Sequence, residues 1–235
     1  MNLIAPPGKR SLVTRVFWRG VFGQLILAAL LFGSAGSVRF WQGWAFLGVS
    51  AVATTFGCIY FYKHDPQLLE RRMLRKENMG AQKLFMVLWK ALGATSFLLA
   101  GYDHRVGWSR MALASVPVWL ELLSLSAIVA GHVLFFYVMK ANSFAASVIR
   151  VEACQTVITA GPYRLVRHPM YLAFAVMTLF TPLALGSFLA LPVAVLILVI
   201  IMLRLLHEEI ILRRDLPGYA EYCQRTRHRL IPFIL

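Results

Sequence analysis

The chain has 235 residues, 59% of them hydrophobic, with a formal net charge of +14 and a mean hydropathy of +0.68. Its apolar residues form long uncharged blocks rather than periodic stripes, which excludes an ordinary soluble domain and indicates a polytopic, all-helical membrane protein. The basic residues lie between those blocks instead of making a patch interleaved with exposed aromatics, so no nucleic-acid partner is expected and membrane lipids are.

Lys9, Arg10, Arg15 and Arg19 precede the first apolar run, Gly20 to Val38, which is long enough to span a hydrocarbon core of about 30 Å and too long for the apolar region of a signal peptide. Phe40 to Tyr62 forms a second span, opened by the interfacial aromatics Trp41 and Trp44. A basic loop, Lys63 to Lys83, follows, with Asp65-Pro66 as a helix start. Leu84 to Tyr102 is a third span broken only by Lys90. Asp103 to Arg110 reads as a polar turn, and Ser115 to Met139 as a fourth span containing Glu121 and His132. Thr156 to Thr159 is extended and leads into the Gly161-Pro162 turn.

Pro169 to Leu203 is then uncharged for 35 residues. As one helix it would reach about 52 Å, so it must fold back, with Pro182 and Leu185-Gly186-Ser187 as the break. The expectation is a bundle of about six transmembrane helices ending in a helical hairpin, in one integral membrane domain over residues 1–235. Only Arg39, Arg105 and Arg110 fall on the face away from the termini, and Lys90 lies within a helix. The positive-inside rule therefore places the termini and the turn before Pro169 in the cytoplasm. Cys58, Cys154 and Cys223 are widely spaced and the six histidines show no paired metal-ligand pattern, so neither a disulfide framework nor a metal site is expected.

Two constellations carry chemistry. Arg167 and His168 crowd the start of the hairpin's first helix, with Pro169 at its first turn. Cations oppose the helix dipole there, so an anion docked among them would explain the arrangement; ordinary membrane-border charges are the alternative. At the hairpin's far end Glu208 and Glu209 put negative charge near a helix C-terminus. Self-neutralisation is the simpler account, since Arg204 precedes Glu208 by four residues and Arg213 follows Glu209 by four. The fold-back brings both constellations to one membrane face. It builds a pocket with cationic and anionic walls suited to a zwitterion, in which one glutamate meets ligand and the other pairs with Arg213.

Gly161-Pro162-Tyr163, Arg167-His168-Pro169-Met170-Tyr171, Glu208-Glu209 and the closing Tyr219, Tyr222 and Leu230-Ile231-Pro232 resemble the isoprenylcysteine carboxyl methyltransferase family, which takes in relatives of the phospholipid N-methyltransferases. The resemblance covers about Val157 to Pro232. Before it, only Asn142-Ser143-Phe144-Ala145 and Asp103-His104-Arg105 are similar to bacterial members. It implies an integral membrane enzyme, with its catalytic region at about 140–235, that moves a methyl group from S-adenosylmethionine to a lipophilic or lipid-linked acceptor. Carried over residue by residue, it makes Val157, Tyr163, Arg167, His168, Pro169, Tyr171 and Glu208 cofactor-binding candidates. Arg204, Glu208 and Glu209 are the catalytic candidates, with Arg204 orienting the acceptor. Leu216-Pro217-Gly218-Tyr219 departs from the family's usual Phe-Gly followed by acidic residues, so the resemblance speaks less directly to the C-terminal lid.

A carboxylate acceptor would need no base, whereas an amine or thiol must lose a proton, which Glu209 or His207 could take. Gln24, Lys90 and His132 lie inside their helices and could line a shared cavity, or Lys90 could snorkel and His132 bond between helices. A non-enzymatic transporter using Lys90 and His132 is the rival function. Glu121 reads as an interfacial charge, and Arg71, Arg72, Arg75 and Lys76 as contacts for anionic headgroups.

Overall fold

The computed structural model describes residues 9–73, 80–143 and 156–231. Phe144, Ala145, Cys154, Arg75 and Lys76 lie outside that set, as does the side chain of Arg71. Among the described residues every regular element is helical. These elements are α1 (Lys9–Ala35), α2 (Trp41–His64), α3 (Pro66–Met73), α4 (Gly80–Val106), α5 (Trp108–Ala112), α6 (Val118–Ala141), a 3₁₀ turn (Gly161–Arg164), α7 (Pro169–Ala184), α8 (Leu191–Asp215) and α9 (Tyr219–Arg225).

The long helices close a ring. α1 packs on α2, α2 on α6, α6 on α7, α7 on α8, α8 on α4, and α4 back on α1. Small residues set the closest approaches, as expected where lipid removes the hydrophobic drive between helices. A Cβ at Gly101 of α4 would collide with the Leu31 carbonyl and the Ser34 hydroxyl of α1, and one at Gly131 of α6 would lie 2.6 Å from Met177 Cγ of α7. Large apolar side chains point outward instead, among them Phe22, Val52, Val87 and Trp119. Water would not tolerate that surface, and a bilayer does.

Among the described residues four helices are long and apolar enough to cross a membrane: Leu12–Ala35, Trp41–His64, Lys83–Val106 and Val118–Ala141. The expected hairpin is present, but it is short. α7 has 16 residues, about 24 Å, and α8, though 25 residues long, is uncharged only over residues 191–203, about 20 Å. A single 35-residue apolar run divided by a turn leaves neither arm enough uncharged length for a full span, so the six expected spans are four full-length helices and a shorter hairpin.

Helix ends also move. α4 continues through Asp103-His104-Arg105 to Val106, and Gly107, at φ 74°, makes the turn that was expected to begin at Asp103. Thr156 to Thr159 joins no sheet. The C-terminal segment is helical: Leu216 ends α8, Gly218 at φ 81° starts α9, and Leu216, Tyr219, Tyr222 and Cys223 make a small core with Val157 and Leu212 packed against it.

Candidate active site

Pro169 begins α7 as expected, because its missing N–H falls where a helix needs none. The N–H groups just before it are taken by the chain itself: Arg167 N–H donates to the His228 carbonyl and His168 N–H to the Arg229 carbonyl, both at 2.9 Å. The anion expected beside Arg167 and His168 is also internal. Glu209, only 4% exposed, receives Arg167 Nε at 2.7 Å and Arg229 Nε at 3.0 Å, and lies 3.4 Å from His168 Nε2. Arg167 Nη1 donates further to the Thr226 and Arg227 carbonyls at 3.2 and 3.1 Å. The segment after α9 is thus clasped over the start of α7 by one buried carboxylate and one buried guanidinium.

Burial alone would push the Glu209 carboxyl up, but the His168 hydrogen bond and the charges of His168, Arg167 and Arg229 hold it down at about 2. The expected pairing of one glutamate with Arg213, four residues on, is replaced. Glu209 takes its partners from the α7 start and the C-terminal segment, while Arg213 is exposed. A buried carboxylate needs more than one hydrogen-bonded cation to offset its desolvation, and a single exposed i,i+4 neighbour could not supply them.

Glu208 faces elsewhere, as the rotation between adjacent helical positions requires. The Tyr171 hydroxyl donates to Glu208 Oε2 at 2.5 Å and accepts from Arg204 Nε at 3.2 Å, so a buried phenol from α7 is interposed between two residues one turn apart on α8. Arg204 is 5% exposed and Glu208 is half-buried. The two constellations expected to meet do meet, and they divide into a sealed clasp (Arg167, His168, Glu209) and a charged edge (Tyr171, Arg204, Glu208). Tyr219 joins the clasp through its hydroxyl, 3.3 Å from His168 Nε2; burial, followed by the nearby carboxylate of Glu209, raises that phenol well above its ordinary range.

The preceding turn closes the site from the side. The Tyr163 hydroxyl accepts from Asn142 Nδ2 at 3.0 Å, and the Tyr163 carbonyl accepts the Tyr222 hydroxyl at 2.7 Å. Burial pushes the Tyr163 phenol up to about 12 and the Glu208 charge adds to it, against the Asn142 bond and the Arg72 charge. Val157 lies against Gly218 in the α9 core.

Arg72 does not face outward toward headgroups, as its place in the basic loop suggests. In the fold it turns inward from α3, its guanidinium 5.2 Å from the Phe135 ring centroid of α6 and close enough for its charge to act on Tyr163. The missed signal is modest: α3 is strongly amphipathic, and its neighbours Leu68 and Leu69 are buried against Phe61 and Met139.

The residues of the transporter reading are not gathered. Lys90 is exposed on α4, and His132 Nδ1 is bonded to the Ile128 carbonyl of its own helix at 2.9 Å. A cavity of about 790 Å³ between α1 and α2 is lined by Gln24, but by neither Lys90 nor His132. Among the described residues no group of His, Cys, Asp or Glu is placed to hold a metal ion.

Residues 119–216 match the model of the phospholipid methyltransferase family. The match runs from the first turn of α6 to the residue that ends α8, so it contains the α7–α8 hairpin with Tyr171, Arg204, Glu208 and Glu209. These proteins belong with the isoprenylcysteine carboxyl methyltransferases in one family of integral membrane methyltransferases, in agreement with the motif resemblance. No curated protein matches the chain. The matched segment is thus similar to membrane methyltransferases, and the α9 clasp after Leu216 lies beyond it.

Proposed function

We propose that this protein is an integral membrane methyltransferase that uses S-adenosylmethionine and methylates a lipophilic acceptor, with a phospholipid amine as the acceptor class. The observation that carries this reading is the charged edge, where Tyr171 joins Arg204 to Glu208 beside the buried clasp. Its donor set fits the cofactor, which has a carboxylate, an ammonium and a ribose diol: a guanidinium, a half-buried carboxylate and phenol hydroxyls occur together, with Val157 and the α9 core as apolar wall.

S-adenosylmethionine supplies an already activated methyl sulfonium, so alignment and exclusion of water are the protein's share. Glu208 is the glutamate assigned to ligand, because Tyr171 engages only its Oε2 while Glu209 is fully committed to the clasp. An amine acceptor must shed a proton before its lone pair can take the methyl group. Glu209 is fully engaged by Arg167, His168 and Arg229, so the half-buried Glu208 carboxylate at the charged edge is the one placed to take that proton. Arg204 orients the acceptor, and a phospholipid's anionic phosphate suits it. Arg167 and His168 act by keeping the lid on the site, His168 through Glu209 and Tyr219. The family description supports the phospholipid over a lipid-borne carboxylate or thiol. The positive-inside distribution supports a cytoplasmic site and cytoplasmic termini.

Calorimetry on protein in detergent and in lipid, wild type beside His168→Ala and Glu208→Ala, tests the cofactor. Micromolar binding by wild type that both variants lose is expected. Transfer of labelled methyl into an amine phospholipid, with a prenylcysteine and an alkyl thiol alongside, tests the acceptor. A folded wild type that binds no S-adenosylmethionine in either medium would overturn the reading.

A further inference from the structure

The other end of the hairpin, far from the clasp, is held by a second polar cluster. Asp103, 3% exposed, accepts the Ser109 N–H at 2.7 Å, the Ser109 hydroxyl and the Ser187 hydroxyl, and Ser109 Oγ accepts the Phe188 and Leu189 N–H groups at 3.0 and 3.2 Å. One residue before Ser187, Gly186 adopts φ 71°. A Cβ there would stand 2.8 Å from Glu121 Oε1 and 3.3 Å from Gln42 Nε2, so the turn's backbone rests directly on a Glu121–Gln42 pair formed between α6 and α2.

That pair is half-made. Gln42 Nε2 donates to Glu121 Oε1 at 3.1 Å, while Glu121 Oε2 and Gln42 Oε1 are both buried without a hydrogen-bond partner. Ser124 Oγ, one turn along α6, is also unpartnered, so it does not serve Glu121. Glu121 is 5% exposed, and among the described residues no cation pairs with it. An ionised carboxylate so placed would carry an uncompensated charge next to a second orphan acceptor. The expectation of an interfacial charge fails for the same reason: the hairpin turn covers this residue.

We propose that Glu121 Oε2 holds a proton and donates it to Gln42 Oε1, closing an acid–amide ring that pins α2, α6 and the hairpin turn together. One proton satisfies both orphan oxygens at once. The other ionisable groups at this end are Asp103, His104, Arg105, Arg110 and Arg39. Asp103 is saturated by its serine and backbone donors. His104 stacks on Phe40 with centroids 4.2 Å apart, Arg105 and Arg110 lie against Gly36 and Gly107, and Arg39 is exposed. α7 and α8 bring no ionisable side chain to the turn. Because the hairpin's opposite end carries the charged edge, its anchorage becomes proton-dependent without any titration at the active site.

Infrared difference spectroscopy and thermal unfolding on the full chain in lipid test this. The carbonyl stretch of a protonated carboxylic acid should be present at neutral pH and absent in Glu121→Gln. Wild type should lose stability relative to Glu121→Gln as pH rises from 5 to 9, because the glutamine amide donates the same bond at every pH. Gln42→Met, which keeps the acid but removes its acceptor, should shift the band to that of an unbonded acid. The proposal is overturned if no acid band at neutral pH disappears in Glu121→Gln, or if wild type and variant share one pH slope. Stabilisation of wild type alone by sodium at fixed pH would also overturn it, by showing an ion where the proton is assigned.

Discussion

Replacing Glu209 by Gln tests whether the clasp is electrostatic. Arg167 is 7% exposed and its Nε meets Glu209 at 2.7 Å, so the substitution leaves a buried guanidinium without its anion. Removing one partner of a buried pair costs about 3–5 kcal/mol. The glutamine oxygen still accepts one bond, which puts the effect at the lower end. Arg229, 41% exposed at its side chain, adds at most about 1 kcal/mol. At about 1.4 kcal/mol per tenfold, ~3 kcal/mol opens the C-terminal segment about 100-fold more often. Trypsin reads this directly, because Arg225, Arg227 and Arg229 lie in the clasped segment. Cleavage there, followed by intact mass in detergent, should accelerate about 100-fold in Glu209→Gln and remain near wild type in Glu208→Gln, whose carboxylate is not part of the clasp. Equal cleavage of wild type and Glu209→Gln would refute the reasoning. The double variant Arg167→Leu, Glu209→Leu should lose less than the sum of its singles, since the two charges are removed together.

Acid should loosen the same clasp. Glu209 sits at about 2 against an ordinary 4.5, so its contribution is complete above pH 4.5 and is lost as pH falls toward 2; helix melts by circular dichroism between pH 6 and 2 should show a drop that Glu209→Gln lacks. Tyr171→Phe removes the hydroxyl between Arg204 and Glu208, and should lower methyl transfer roughly 10- to 100-fold with trypsin protection of the clasp unchanged. Loss of clasp protection in Tyr171→Phe would assign that hydroxyl a structural role instead. Gly101→Ala forces α4 away from the Leu31 carbonyl of α1 and should cost about 1–3 kcal/mol in thermal unfolding, whereas Gly93→Ala, with nothing within 4 Å of its Cβ, should be neutral.

Much of this protein is legible from composition and spacing, because both act locally. Uncharged runs long enough for a bilayer mark the helices, and a 35-residue run too long for one span dictates the hairpin. That hairpin alone brings Arg167 and His168 to Glu208 and Glu209, since its two arms must return to one face. The helix dipole argument asked for a docked anion beside Arg167 and His168, and the fold places the chain's own Glu209 there instead. It could not name Glu209 as that anion, because the competing short-range pair with Arg213 is visible in sequence and the partnership with Arg229 is not. The distances along the chain explain the rest. Arg167 reaches carbonyls 59 and 60 residues away, Ser187 reaches Asp103 across 84 residues, and Gln42 reaches Glu121 across 79.

Which face a charged residue presents depends on what covers it. By sequence position Arg72 and Glu121 belong to the membrane border, and they differ from border charges only because α6 and the hairpin turn lie over them. The local pattern thus determined that this is a helical membrane protein whose hairpin brings Arg167 and His168 to Glu208 and Glu209. Closure of the helix ring decided which charges are sealed inside it, because desolvation and pairing depend on neighbours that only the assembled bundle supplies.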